Sequence, residues 1–139
     1  MNQTLAIIKP DATGAGRAGK IIAHLEEKGF KVRAMRMTRL DQRQAEAFYA
    51  VHRERPFFDS LVSFMTSGPV IPMVLEKDGA VAAFREAIGA TNPEEAAEGT
   101  VRKLWAESIE RNAVHGSDSD ENARQEIGFF FSDQDLLSI

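Results

Sequence analysis

Three short, nearly continuous apolar runs set the terms for this chain. Residues 4–8, 70–75 and 127–131 are each five or six residues long and end in polar or turn-forming residues. They are too short for a buried helix and the right length for a buried strand. The first stops at Lys9-Pro10-Asp11, which reads as a turn. Between the runs the period becomes helical. Ile21, Ile22 and Leu25 share one face, with Gly29 as a C-terminal stop. Residues 31–40 mix basic and apolar side chains, and the alternation slips at Ala34-Met35, which predicts a bulged strand at a sheet edge. Asp41 and Gln44 have capping-box spacing ahead of a helical face made by Ala45, Phe48 and Tyr49. Further helices follow from Phe58, Leu61, Val62 and Met65, and from Val81, Phe84 and Ile88.

Pro72 fits poorly inside the second run, because it cannot donate to a ladder. Residues 89–104 read as a long polar loop, of a length that usually serves function. Ser119 caps a short helix to Arg124, residues 127–131 form the last strand, and Ser132 with Asp135 caps a terminal turn. The order β-α-β-α-α-β-α-β predicts an α+β fold. It is a ferredoxin-like split unit: a four-stranded antiparallel sheet with helices packed on one face, as a single domain over residues 1–139.

Composition narrows the chemistry. Leu, Ile, Val and Phe make up 34 of 139 residues, enough for a packed core. There is no cysteine, which excludes disulfide scaffolds, thiol nucleophiles and cysteine metal sites. No apolar run approaches the length of a membrane span, and the first residues carry no basic, signal-like head, so a cytoplasmic location is expected. Net charge is −4 but unevenly placed. Residues 1–103 carry 15 basic and 13 acidic side chains; residues 104–139 carry 2 and 8. A general nucleic-acid binder would show a basic excess, whereas a small anionic ligand needs only a few converging cations.

Two motifs mislead. Gly14-Ala15-Gly16-Arg17-Ala18-Gly19-Lys20 contains a G-x-G-x-x-G and nearly a phosphate-binding G-x-x-x-x-G-K-[ST]. Ile21 replaces the hydroxyl that the second needs, and Thr38, Arg39 and Leu40 stand where the first wants an acid. A flexible turn is the better reading. His24, His52 and His115 are too dispersed for a metal site, and no serine-hydrolase elbow is present.

The informative stretch is Asn112-Ala113-Val114-His115-Gly116-Ser117-Asp118-Ser119. His115 follows an apolar pair and precedes a glycine and a hydroxyl-rich helix start. Glu126 lies eleven residues on, across a short helix, where it is able to fix one ring nitrogen and leave the other free to attack.

This stretch resembles the N-x-x-H-G-S-D-S signature of nucleoside diphosphate kinases. Ile7-Ile8-Lys9-Pro10-Asp11, Tyr49-x-x-His52-x-x-Arg55-Pro56-Phe57-Phe58, Met65-x-Ser67-Gly68-Pro69-Val70, Arg85 with Gly89-Ala90-Thr91-Asn92-Pro93, and Gly99-Thr100-Val101-Arg102 agree in order. The resemblance covers essentially the whole chain. It implies a ping-pong enzyme that moves the γ-phosphoryl group of a nucleoside triphosphate, mainly ATP, to a nucleoside diphosphate through phosphorylated His115, with Glu126 orienting the imidazole. It places Arg85, Thr91 and Arg102 on the phosphates, Lys9 and Asn112 on the ribose hydroxyls, Phe57 on the base with Ile109 opposite, and Tyr49 and His52 as auxiliary contacts. It also implies Mg²⁺ held mainly by substrate phosphates, with Asp118 reaching it through water, and a homo-oligomer of undefined size.

Some of these residues have plainer readings. Phe57 beside Phe58 is core by default, although adjacent aromatics on a helix entry seldom both face inward. Arg85, on a helix whose other face is apolar, reads by default as a solvated charge. The chain departs from the family at Lys103-Leu104, Pro72 and Glu98, which bears on loop support and assembly rather than on ligand positions. Two other readings remain: a non-catalytic ferredoxin-like module binding nucleotide or single-stranded nucleic acid, suggested by the basic residues 31–39, and a nucleotide hydrolase.

Overall fold

The computed structural model describes residues 1–137. Its four strands are β1 (Gln3–Ile8), β2 (Lys31–Met35), β3 (Ile71–Glu76) and β4 (Val114–Gly116). They form one antiparallel sheet in the order β2-β3-β1-β4. The helices are α1 (Pro10–Gly14), α2 (Ala18–Glu27), α3 (Gln42–Phe48), α4 (Phe58–Met65), α5 (Ala80–Ile88), α6 (Val101–Trp105), α7 (Asp120–Phe130) and α8 (Asp133–Leu137). The strand count, the antiparallel pairing and the ferredoxin-like order match the sequence expectation.

The expectation of helices on a single face is corrected. β1 buries both parities of side chain, and each parity feeds a separate core. Leu5 and Ile7 pack with Val74, Val62, Met65, Ile127 and Phe130 under α3, α4 and α7. Ala6 and Ile8 pack with Met73, Leu75, Ile21, Phe84 and Ile88 under α2 and α5. A strand apolar at consecutive positions must be covered on both sides, since each exposed Leu or Ile forfeits about 1.5–3 kcal/mol of burial.

The fourth strand is also not where the sequence reading put it. Residues 127–130 continue α7, which runs on past Arg124 to Phe130, and Phe131 is its extended C-terminal cap. Ala123, Ile127 and Phe130 repeat at i, i+4 and i+7 and form the buried helical stripe, while Phe129 beside them is exposed. Ser119 caps that helix by accepting from the Asn122 N–H (3.1 Å). The fourth strand is instead the histidine segment, with His115 opposite Ile7 of β1.

Several local readings hold. Asp41 and Gln44 form the capping box of α3. β2 is an edge strand, and its register shifts between Val32 and Ala34, slightly earlier than the slip in the pattern. Ser132 and Asp135 cap α8 reciprocally. Residues 89–104 are more structured than a loop: a 3₁₀ turn at Pro93–Glu95 leads to α6, whose cap Thr100 accepts from the Lys103 N–H. Lys103, Leu104 and Glu98 point outward, so those departures leave the cap intact.

Pro72 has a simple explanation. Val70 exchanges both backbone bonds with Thr38 (2.8 and 2.9 Å), so Pro72, two residues on, turns its nitrogen toward the same neighbour. β2 itself ends at Met35, and the Pro72 carbonyl accepts from the next residue, from the Arg36 N–H at 3.2 Å. The donor that proline lacks would have faced Arg36, just past the end of β2, so its loss falls on the outer side of β3 and leaves the pairing with β1 untouched.

Candidate active site

The cleft lies where β4 and the ends of α5 and α6 face the α3–α4 corner, and its volume is about 520 Å³. Every residue singled out from the sequence lines it: Lys9, Tyr49, His52, Phe57, Arg85, Thr91, Arg102, Ile109, Asn112, His115, Asp118 and Glu126. The Gly14–Gly19 stretch does not line it and forms the link between α1 and α2.

His115 projects from the short β4, on the same face as Ile7. Its Nε2–H donates to Glu126 Oε1 at 2.8 Å, which leaves the Nδ1 lone pair unused. Ser117 Oγ donates to the same carboxylate oxygen at 2.7 Å. Ser117, fully buried, was missed by the sequence reading; its place two residues after His115, on the same strand parity, was the available signal. The ring is further held edge-on by Phe48 and Tyr49, with centroids at 5.3 and 6.2 Å. Gly116 is needed for packing. A Cβ there would lie 2.8 Å from the Phe84 ring, so only glycine lets β4 rest on α5.

The cations come from three places. Lys9, at the end of β1, donates from Nζ to Asn112 Oδ1 at 2.8 Å, and Asn112 Nδ2 donates to the Thr91 carbonyl at 3.2 Å. Arg102 is threaded through α6: Nη1 donates to the Gly89 carbonyl (3.0 Å) and Nη2 to the Val114 carbonyl (2.8 Å), while its buried Nε has no protein partner. Gly89, at φ +88°, has no room for a Cβ against Thr100, so this carbonyl can be offered only by glycine. Arg85 stands exposed in the last turn of α5. Burial, and then the charge of Arg85, draws Arg102 down to about 10, still protonated at neutral pH. Burial pushes the Tyr49 phenol well up, assisted by the charge of Glu126, so that it stays neutral.

At the other end, Phe57 is 46% exposed while its neighbour Phe58 is only 7% exposed and belongs to the core. Adjacent aromatics at the start of α4 have therefore split between cleft and core. Ile109 is exposed at the same cleft. No cluster of three or more metal-ligating side chains exists among the described residues. No helix among them is long and apolar enough to cross a membrane.

Burial lowers Lys9 from 10.5 to about 8, reinforced by Arg102 and opposed by Asp11 and Glu110. Between these values the folded chain has released this proton and the unfolded chain still binds it, so stability rises with pH across that window. We expect the urea midpoint of the wild type, relative to Lys9→Met, to climb between pH 8 and 10. A flat difference would show that Lys9 does not titrate there.

Comparison with known proteins is decisive about kind. A family model described as nucleoside diphosphate kinase matches residues 2–136. A nucleoside diphosphate kinase of Chlamydia felis is 56% identical over 138 residues, 99% of this chain and 98% of the relative. One of Chlorobium limicola is 56% identical over 139 residues, 100% of this chain and 99% of the relative. Among solved structures, the Aquifex aeolicus nucleoside diphosphate kinase superposes with a TM-score of 0.95 at 45% identity, covering 97% of this chain and 98% of that one. A Halobacterium salinarum nucleoside diphosphate kinase in complex with CDP gives 0.92 at 40% identity, covering 98% and 91%. A ferredoxin-like sheet matched from end to end by kinases of one kind makes this chain a phosphotransferase. It belongs to the nucleoside diphosphate kinase family.

Proposed function

We propose that the chain, over residues 1–139 as one catalytic domain, transfers the γ-phosphoryl group of a nucleoside triphosphate, mainly ATP, to a nucleoside diphosphate through phosphorylated His115. The observation that carries the reading is the pairing of His115 Nε2 with Glu126. It sets the tautomer in which Nδ1 is the nucleophile, in a cleft that also holds Lys9, Arg85 and Arg102. Nδ1 attacks the γ-phosphorus in line, the Nδ1–P bond forms as the P–O bond to the β-phosphate breaks, and the diphosphate leaves. An acceptor diphosphate then occupies the same cleft and reverses the step with its terminal oxygen. Glu126 stabilises the positive charge on the ring while Nδ1 is bonded to phosphorus. Arg85, Arg102 and Thr91 meet the negative charge on the phosphate oxygens, where positioned donors lower the barrier most.

Lys9 and Asn112 take the ribose hydroxyls, and Tyr49 and His52 flank the phosphates. Phe57 stacks on the base, with Ile109 opposite. The donor set suits a Mg²⁺ held largely by the substrate: one exposed carboxylate, Asp118, stands at the cleft, and a hydrated Mg²⁺ asks little more of the protein. When bound, the ion neutralises charge on the β- and γ-phosphates. We extend the proposal to a cytoplasmic homo-oligomer. Met35 and Met37, exposed at the edge strand or just beyond it, support association between copies.

Incubation with γ-labelled ATP tests the reading. An acid-labile, base-stable phosphoprotein that discharges onto added GDP is expected. Steady release of inorganic phosphate with no labelled protein would favour a hydrolase, and bound nucleotide without turnover a binding module. For the base, Phe57→Ala should weaken adenine, guanine and pyrimidine nucleotides alike, by about 1–3 kcal/mol, because every base offers a π-face. A KM that rises for one base alone would point to edge recognition instead.

A further inference from the structure

Ala113 has φ +75° and is the sole non-glycine residue among those described with a positive φ. Alanine adopts that conformation at a cost that glycine does not bear. The kink has a consequence for the cleft. Asn112 and His115 are three residues apart and would point to opposite faces of a regular strand. Here both line the cleft, while Ala113 and Val114 both lie in the core beneath α5. The left-handed residue inverts the alternation.

Ala113 is the centre of a γ-turn closed by the Val114 N–H, which donates to the Asn112 carbonyl at 2.9 Å, and its own backbone groups are held from both sides. The Lys9 backbone N–H donates to the Ala113 carbonyl at 2.9 Å, and the Ala113 N–H donates to Asp11 Oδ2 at 3.0 Å. The other oxygen of Asp11, Oδ1, is buried with no protein partner. Burial raises the Asp11 carboxyl above its ordinary value, and the bond from the Ala113 N–H and the charge of Lys9 oppose that shift.

We propose that Asp11 is a positioning residue for phosphoryl transfer: its carboxylate clamps Ala113 in the left-handed conformation that lets Asn112 and His115 face the same bound nucleotide. The proposal rests on the function argued above, and wild-type transfer measured alongside separates the two. If the wild type fails to phosphorylate His115, the function fails. A defect that appears only in the variants concerns the clamp.

The experiment is single-turnover phosphorylation of His115 by ATP, with thermal unfolding of each protein, for the wild type, Asp11→Ala, Asp11→Asn and the double variant Asp11→Ala/Ala113→Gly. Asp11→Ala should slow transfer about 10–100-fold, the scale of a small misplacement of reacting groups, while still unfolding cooperatively above the assay temperature. Asp11→Asn should recover most of the rate, since its amide oxygen still accepts from Ala113. The double variant should also recover, because glycine holds a positive φ without a clamp. A purely structural role would move the melting temperature but leave glycine at 113 nothing to restore in rate per folded molecule. Asp11→Ala transferring at the wild-type rate would overturn the proposal, as would a folded double variant no faster than Asp11→Ala. Should Asp11→Ala not fold, the others decide: a fast Asp11→Asn with a folded, active double variant supports the clamp, and a slow Asp11→Asn overturns it.

Discussion

His115→Ala should abolish labelling by γ-labelled ATP and lower transfer on the order of 10⁴-fold or more, the scale on which loss of a covalent nucleophile acts. The cleft, the arginines and Lys9 remain in this variant, so nucleotide should still bind. The imidazole contributes one hydrogen bond to Glu126 and edge contacts with Phe48 and Tyr49. Losing these costs about 1–2 kcal/mol of stability. Glu126 keeps Ser117 as a donor, so its carboxylate is not stranded. Cooperative unfolding with transfer reduced to background is the expected pair of results. Transfer at more than a trace in the folded variant would sink the phosphohistidine route.

The second large effect concerns the sugar. Nucleotides lacking the 3′-hydroxyl should be phosphorylated about 10–100-fold more slowly, while those lacking only the 2′-hydroxyl remain good substrates. The magnitude is that of a hydrogen bond to a charged group, about 1.5–3 kcal/mol, felt in the transition state. Lys9 and Asn112 already bond to each other at 2.8 Å, so a missing hydroxyl does not leave two buried groups unpaired. What is lost is the additional bond that aligns the sugar, and through it the diphosphate. In Asn112→Ala the penalty for a missing 3′-hydroxyl should shrink, because one of its partners is gone. Pre-steady-state transfer rates for the four combinations of enzyme and nucleotide give the coupling directly. Strict additivity would mean that Asn112 does not touch the sugar.

Much of this protein was legible in one dimension, wherever a local rule acts alone. The capping box at Asp41 and Gln44, the cap at Ser119, the edge bulge in β2 and the helical stripes of α4 and α5 depend on spacing within a few residues. The site residues were legible because their order along the chain matched a family, and the fold brings all of them to one cleft. Other features were decided only by tertiary contact. Residues 127–131 have a composition that suits strand or helix, and the core beneath α4 and β1 selected the helix by burying Ile127 and Phe130. The two-sided cover of the sheet follows from β1 having no solvent face, which shows only once α5 and α7 lie on opposite sides of it. The tolerance of Pro72 depends on where β2 ends, and the need for glycine at 116 on the ring of Phe84. The left-handed turn at Ala113 left no mark in the sequence, because alanine does not advertise it; a carboxylate 102 residues away holds it there. Short-range hydrogen bonding and periodicity are written locally, whereas which face is covered and which backbone is bent depend on neighbours that only the folded chain supplies.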